Sequence, residues 1–153
     1  MSTQSRIERA TAADLTAIAS LAREAYGLYV ERIGKPPAPT FDDYAAHVAA
    51  GRAYVIREGN SILAYMVMFI EVDHVQVYSI AVAPGTQGRG RGSRLLESAD
   101  RIAIEHGLPE VRLYTNEAMH ENLEYYPKRG FREVDRREED GFSRVYFVKA
   151  LLR

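Results

Sequence analysis

Hydrophobic and polar positions change their period several times along the 153-residue chain. Apolar residues recur at helical spacing over residues 15–26, which predicts a helix that begins after an N-cap at Thr11 and runs towards Arg32. A second helix is predicted over residues 41–50, after a stiff proline-rich loop. The segments that resemble strands are residues 6–9, 53–57, 62–70, 75–82, 111–115, 131–136 and 142–151.

The order of these segments predicts the topology. Gly59 and Asn60 form a two-residue hairpin signal, and a reversal at residues 71–74 leads into the next strand, so the three middle strands form an antiparallel meander. An amphipathic helix over about residues 89–106 then links two strands, which implies that those strands pair in parallel. A short helix over residues 119–126 and a hairpin around Asp140 and Gly141 follow. Without repeats or a linker, the chain is expected to form one domain over residues 1–153, of α/β (α+β) class.

Composition excludes several classes of function. The chain has 46% hydrophobic and 27% charged residues, as a soluble globular protein does, and its net charge of −1 favours neither nucleic acid nor an anionic membrane as partner. It contains no cysteine, which excludes disulfides, thiolate metal ligands and a cysteine nucleophile. No histidine pair has metal-ligand spacing beside carboxylates, so no metal is expected. The first residues lack the apolar run of a signal peptide, and a cytoplasmic location is expected.

The most informative segment is residues 87–92, which read Gln-Gly-Arg-Gly-Arg-Gly. It lies between a predicted strand and the start of the long predicted helix, and glycines at such a turn let the backbone approach a ligand closely. The first N–H groups of a helix and its dipole favour an anion there. Arg89, Arg91 and Arg94 add charge suited to phosphate. The segment therefore predicts a phosphate site, and the alternative is a flexible, solvated arginine-glycine turn.

Three phosphate motifs compete for this turn. The P-loop requires a lysine that is missing here, and the dinucleotide-binding pattern requires the first strand of a βαβ unit, which this strand is not. The third pattern, Gln/Arg-x-x-Gly-x-Gly/Ala, is matched by Gln87, Gly90 and Gly92. In this respect the chain resembles the GNAT superfamily of N-acetyltransferases. A second match lies downstream, where Tyr126, Gly130 and Phe131 fit the segment that ends Tyr-x-x-x-Gly-Phe.

The resemblance covers about residues 6–151 and implies a fold, a reaction and a set of site residues. The fold would be a GNAT-like mixed, mostly antiparallel central sheet with helices on both faces. The reaction would be transfer of an acetyl group from acetyl-coenzyme A, a co-substrate, to a primary amine that attacks the thioester directly. The cofactor-binding residues implied are the backbone of Ile80, Ala81 and Val82, the turn residues Gln87, Gly88, Arg89, Gly90, Arg91, Gly92 and Ser93, and Asn122. The alternatives are an ordinary core strand for the first three and a surface asparagine for the last.

The resemblance also assigns Tyr126 as the acid that protonates the departing thiolate. A phenol with a pKa of about 10 is a plausible acid toward a thiolate of pKa about 8.5 if the site is tuned. Tyr125 is the neighbouring alternative, and a tyrosine that only packs at a helix end is another. Pro127 follows directly and predicts that the helix ends at Tyr126.

The acceptor site and the base are less well defined by the sequence. The first two helices and their loop carry an aromatic and acidic set that would suit an amine or be simply core: Tyr26, Tyr29, Glu31, Phe41, Asp42 and Tyr44. Glu71, Asp73 and His74 are candidate bases but are expected to be solvated turn residues. The remaining histidines, His47, His106 and His120, are expected at the surface.

Two further functions compete with acetyl transfer. A non-catalytic acyl-coenzyme A binding or sensing module would share the fold and bind the cofactor without turnover. An RNA-binding protein would use Arg89, Arg91 and Arg94, but the near-zero net charge and the absence of aromatics among these arginines argue against it. The expected partners are a small-molecule or peptide amine, with no nucleic acid and no membrane, and a homodimer is a further expectation because dimers are common in the family.

Overall fold

A computed structural model describes residues 6–85, 88 and 90–151. The strands and helices are β1 (Arg6–Arg9), α1 (Leu15–Gly27), α2 (Val30–Ile33), α3 (Tyr44–Ala49), β2 (Ala53–Glu58), β3 (Ser61–Ile70), β4 (Val75–Val82), α4 (Arg91–Glu105), β5 (Glu110–Asn116), α5 (His120–Lys128), β6 (Arg132–Glu139) and β7 (Phe142–Ala150). Two short 3₁₀ turns, Ala12–Asp14 and Ala38–Phe41, precede α1 and α3.

The strands form one seven-stranded mixed sheet in the order β1-β2-β3-β4-β5-β7-β6. β4 and β5, which flank α4 in the chain, pair in parallel, whereas β1–β2, β2–β3, β5–β7 and β6–β7 pair antiparallel. The expected mixed and mostly antiparallel sheet is therefore confirmed. The place of β7 between β5 and β6 did not follow from the sequence, because it depends on pairing between distant segments.

Local turn chemistry sets the hairpins. Gly59 adopts a φ of +60° between β2 and β3, and Asp140 and Gly141 adopt φ values of 54° and 80° between β6 and β7. Paired left-handed residues suit a tight two-residue hairpin because their twist matches that of the strands. The β3–β4 hairpin is closed by a hydrogen bond from Glu71 N to His74 O of 2.8 Å.

The chain divides into two compact units. One contains the described residues up to Met68 and Ser79–Leu96, and the other contains Phe69–Tyr78 and the described residues from Glu97 onward. In the first, five consecutive residues of β3, 64–68, are buried, so both faces of that strand are covered. The second has its own apolar core of Val75, Val77, Ala99, Ala103, Val111, Leu113, Phe131, Val145 and Phe147. The boundaries between the two units fall inside β3, β4 and α4.

Three predicted helices differ from the observed ones. The first helix ends at Gly27 instead of continuing to Arg32, because glycine destabilises a helix by about 1 kcal/mol relative to alanine, and a turn at Leu28 and Tyr29 separates it from α2. Phe41 lies in the 3₁₀ turn before α3, not in a helix. The prediction that the last helix ends at Tyr126 is also wrong, because α5 continues through Pro127 to Lys128. Pro127 falls in the last turn, where it removes only one helical hydrogen bond.

Candidate active site

The predicted oxyanion donors lie at the end of β4. Ala81 is buried, and Ile80 and Val82 are half-buried. The pairing of β4 with β5 includes Val75 to Val77, and Ile80 follows later in β4. The chain then leaves the strand through Pro84 and Gly85, and Gly85 has a φ of 86°.

The glycine-rich turn follows. Gly88 and Gly90 have φ values of 89° and 75°, which lie in the left-handed region that favours glycine. A Cβ added to either residue would meet no atom within 4 Å, so open space borders the backbone at both positions. Two predicted site residues of this turn, Gln87 and Arg89, lie outside the described residues.

The helix α4 begins directly after this turn. The hydrogen bond from Arg94 N to Gly90 O, 3.0 Å long, closes its first turn, so the amides of Gly90, Arg91, Gly92 and Ser93 precede the helical hydrogen-bond ladder. Amides at such a position and the helix dipole favour a bound anion. The described part of the predicted phosphate turn therefore combines left-handed glycines with the start of a helix.

The side chain of Arg91 has a different environment from the one that its charge suggested. It is buried, with 8% of its surface exposed, and its Nη2 lies 4.0 Å from Oε2 of Glu58 at the end of β2. The guanidinium is therefore next to a carboxylate, whereas the backbone of Arg91 remains part of the helix start. Any contribution of Arg91 to an anion would come through its amide or through competition with Glu58.

A tyrosine from α1 contacts the backbone of Ile80. The hydroxyl of Tyr26 donates a hydrogen bond of 2.8 Å to Ile80 O and accepts a longer one, of 3.4 Å, from Ile80 N. Tyr26 is buried, and it follows Ile18 and Ala22 on the apolar face of α1. The sequence placed Tyr26 in the acceptor site but gave no indication of this contact with β4.

A second set of tyrosines forms a buried chain of hydroxyl groups. The hydroxyl of Tyr65 in β3 lies 2.8 Å from the hydroxyl of Tyr44, and the Oγ of Ser79 in β4 donates to the Tyr65 hydroxyl at 3.3 Å. The hydroxyl of Tyr44 also donates to Pro39 O. Burial raises the pKa of Tyr65 well above its ordinary value, so this phenol stays neutral and links β3 to β4 and α3 through hydrogen bonds. Sequence reasoning missed Tyr65 because it lies within an apolar strand.

The other predicted acceptor residues lie outside this series of hydrogen-bonded hydroxyls. Phe41 is 71% exposed, and the ring of Tyr29 lies under the guanidinium of Arg32, 5.1 Å from its centroid. Asp42 Oδ2 lies 2.8 Å from Nε2 of His47. The expectation that His47 lies at the surface is wrong: it is buried, and Asp42 and Arg52 satisfy its two ring nitrogens.

The candidate acid lies in α5, in the second unit. Tyr126 is buried, and its ring packs edge-on against Tyr125 at 5.6 Å and against Phe131 at 5.9 Å between centroids. The alternative acid, Tyr125, is half-buried, and the guanidinium of Arg129 lies 4.5 Å from its ring centroid. The two tyrosines therefore differ in environment, with Tyr126 the more desolvated of the two.

The glycine of the same motif has a steric role. Gly130 has a φ of 97°, and a Cβ at this position would come within 3.1 Å of Cε of Lys149 in β7. The positive φ favours glycine at this position of the segment Tyr-x-x-x-Gly-Phe, and the Lys149 side chain would have to shift to admit a Cβ.

Asn122 fastens α5 to β5. Its Nδ2 donates to Oγ1 of Thr115 at 2.9 Å, and it lies one turn before Tyr126 on α5. The side-chain amide thus has a structural partner in the second unit, while its carbonyl oxygen can still accept. Among the candidate bases, Asp73 pairs with His74 at 2.7 Å, and this hydrogen bond holds the pKa of Asp73 below its ordinary value.

Among residues 6–85, 88 and 90–151, no group of three or more His, Cys, Asp or Glu side chains could hold a metal ion. No helix in the described part of the chain is long and apolar enough to cross a membrane.

Comparison with protein families decides which class of enzyme this site belongs to. The model of the acetyltransferase (GNAT) family matches residues 15–131, which include the glycine-rich turn and the Tyr126 segment. The chain belongs to the acetyltransferase (GNAT) family. It is therefore an acyltransferase, as the two motifs indicated. Among curated proteins, none matches the sequence.

Solved structures agree with this family assignment. A GCN5-related N-acetyltransferase from Rhodopseudomonas palustris superposes with a TM-score of 0.81 at 16% identity, covering 99% of each chain. The PaiA N-acetyltransferase from Thermoplasma acidophilum, in complex with coenzyme A, gives 0.79 at 15% identity, covering 97% of this chain and 99% of that one. The ribosomal-protein-S18-alanine N-acetyltransferase from Escherichia coli gives 0.76 at 19% identity, covering 96% and 94%. At such identities the likeness shows the GNAT fold.

Proposed function

We propose that this GNAT acyltransferase transfers the acetyl group of acetyl-coenzyme A to a primary amine. The observation that carries the proposal is the turn of residues 88–92. There, left-handed glycines with open space beside them lead directly into the N-terminus of α4. A diphosphate fits this arrangement because several amides and the helix dipole face one anion. Structural neighbours that hold coenzyme A or acetyl-coenzyme A support the choice of donor.

The chemistry needs no protein nucleophile. The nitrogen lone pair of a neutral amine attacks the thioester carbon, the C–N bond forms, and the C–S bond then breaks. The carbonyl oxygen becomes an oxyanion that backbone N–H groups of Ile80 to Val82 stabilise, and the amine loses its proton to solvent or to a base. The departing thiolate takes a proton from Tyr126, which regains a proton from solvent. The products are an N-acetyl amine and coenzyme A.

The choice of Tyr126 as acid rests on its motif and its environment. The ring of Tyr126 is buried against Tyr125, Phe131 and Phe147, which fixes the position of its hydroxyl. Tyr125 has a cationic neighbour, Arg129, over its ring and is more exposed. We therefore assign the acid to Tyr126, with Tyr125 as the residue to test beside it.

The acceptor is an amine of undefined structure. Two structural neighbours are named for very different acceptors, an alanine of a ribosomal protein and glutamate, so the fold does not select one. Among the predicted acceptor residues, Tyr26 and Tyr44 are buried aromatic side chains, and their ring faces support an amine that carries a cationic portion. A panel for testing should therefore combine small amines, amino acids, aminoglycosides and peptides with free N-termini.

The decisive experiment combines binding with turnover. Calorimetry should show that acetyl-coenzyme A binds to the wild-type protein, and a thiol-release assay over the amine panel should show coenzyme A formation that depends on an amine. Binding without transfer to any amine would instead support an acyl-coenzyme A sensing module. Indifference to acetyl-coenzyme A, together with salt-sensitive binding to RNA, would refute the assignment of the turn.

A further inference from the structure

The hydroxyl of Tyr26 makes two unequal contacts with one residue of β4. Its bond to Ile80 O is 2.8 Å long, an ordinary hydrogen-bond length, whereas the bond that it accepts from Ile80 N is 3.4 Å long. A phenol has one hydrogen, and here that hydrogen is directed at the Ile80 carbonyl. The N–H of Ile80 is therefore held in place while its own hydrogen bond is weak.

The position of this hydroxyl is set by the packing of α1. Tyr26 continues the buried face of Ile18, Leu21 and Ala22, and only 8% of its surface is exposed. A tyrosine has few rotatable bonds, so a buried ring fixes its hydroxyl with little freedom. Tyr26 thus holds the end of β4 through the backbone of Ile80.

We infer that Tyr26 is a positioning residue for acetyl transfer: its bond to the Ile80 carbonyl aims the Ile80 N–H at the thioester oxygen. The inference rests on the proposed function, in which the backbone of β4 supplies the oxyanion donor. A thioester carbonyl would replace the weak 3.4 Å contact, while the 2.8 Å bond stays in place. No proton passes through Tyr26, so it is not a catalytic residue.

The same bond acts on the next amide. The Ile80 carbonyl belongs to the peptide group that carries the Ala81 N–H, and a donor on the carbonyl polarises that group. Tyr26 therefore fixes one donor of the predicted oxyanion site and strengthens its neighbour. Both effects grow in importance as negative charge develops on the substrate oxygen, so they act on the transition state more than on binding.

The test compares two buried hydroxyl deletions in the same unit. Tyr26→Phe removes the bonds to Ile80, and Tyr65→Phe removes a fully buried hydroxyl that contacts side chains instead of the β4 backbone. We expect Tyr26→Phe to lower kcat about tenfold or more, with KM for acetyl-coenzyme A within about twofold of the wild type. Tyr65→Phe should leave both constants within about twofold. Equal effects on kcat from both variants, or none from Tyr26→Phe, would overturn the inference.

A vibrational measurement separates this inference from the proposed function. The carbonyl stretch of bound ¹³C-labelled acetyl-coenzyme A should move to lower frequency on the wild-type protein, and Tyr26→Phe should reduce that shift. An identical shift in both proteins overturns the role of Tyr26 alone, whereas failure of acetyl-coenzyme A to bind to the wild type overturns both proposals. If Tyr26→Phe does not fold, 3-fluorotyrosine at position 26 keeps the ring and gives a stronger donor. The carbonyl frequency should then move with it, and an unchanged frequency refutes the inference.

Discussion

Gly90→Val is the sharpest perturbation of the proposed diphosphate site. Gly90 has a φ of 75°, a conformation that costs an L-residue roughly 1–2 kcal/mol and a β-branched one more. Since a Cβ there would meet no atom within 4 Å, this strain is the main effect expected on the fold. The free energy of unfolding should therefore fall by about 2 kcal/mol, and the fold should persist.

The effect on the ligand should be much larger. The valine side chain would fill the open space where the proposed diphosphate approaches the amides of the turn. Hydrogen bonds to a charged group are worth about 1.5–3 kcal/mol each, so losing two of them corresponds to about 3–6 kcal/mol. The Kd for acetyl-coenzyme A should accordingly rise by a factor of about 10² to 10⁴.

Gly59→Val provides the matched control. Gly59 has a φ of 60° and the same open space at its Cβ, but it lies in the β2–β3 hairpin. Urea denaturation should show a similar loss of stability for both variants, while calorimetry should show weakened binding of acetyl-coenzyme A for Gly90→Val alone. Unchanged affinity in Gly90→Val would refute the diphosphate assignment, and equal weakening in both variants would trace the effect to stability.

The remaining predictions concern the acid, one glycine and one ion pair. Tyr126→Phe should lower kcat by about 10²-fold with little change in KM, whereas Tyr125→Phe should not, as steady-state kinetics will show. Gly130→Ala should destabilise the fold by more than Gly107→Ala does in thermal denaturation, because only the former Cβ meets a neighbour, Lys149, at 3.1 Å. Asp14 accepts two 3.0 Å hydrogen bonds from Arg57, and these hydrogen bonds hold the pKa of Asp14 below its ordinary value. This contribution is present above the unfolded pKa of about 4 and is lost as pH falls towards the lower folded pKa, so acid titration should destabilise the wild type more than Asp14→Asn.

Short-range features of the fold could be predicted because their causes are local. The hairpins at Gly59 and at Asp140 need left-handed residues, and the parallel pairing of β4 with β5 follows from the helix between them. The end of α1 at Gly27 could have been predicted from the low helix propensity of glycine. The extension of α5 through Pro127 could not, because one missing hydrogen bond near a helix end is tolerated when packing favours the helix.

The candidate site was predictable only in its backbone elements. The positive φ values at Gly88 and Gly90 could be anticipated because glycine adopts them readily. The burial of Arg91 beside Glu58 and of His47 between Asp42 and Arg52 depends on residues that the chain brings together over longer distances. The contact of Tyr26 with Ile80 joins positions 54 apart, so no local pattern could show it.

The hydroxyl chain of Ser79, Tyr65 and Tyr44 has a direction. Pro39 O can only accept, so Tyr44 gives it a hydrogen, Tyr65 gives its hydrogen to Tyr44, and Ser79 gives its own to Tyr65. Removing the hydroxyl of Ser79 leaves one oxygen lone pair of Tyr65 without a donor. Removing that of Tyr44 deprives the hydrogen of Tyr65 of its acceptor. Buried donors without acceptors are rarer in proteins than acceptors without donors. Loss of the Tyr44 hydroxyl, nearest Pro39, should therefore cost more stability than loss of the Ser79 hydroxyl.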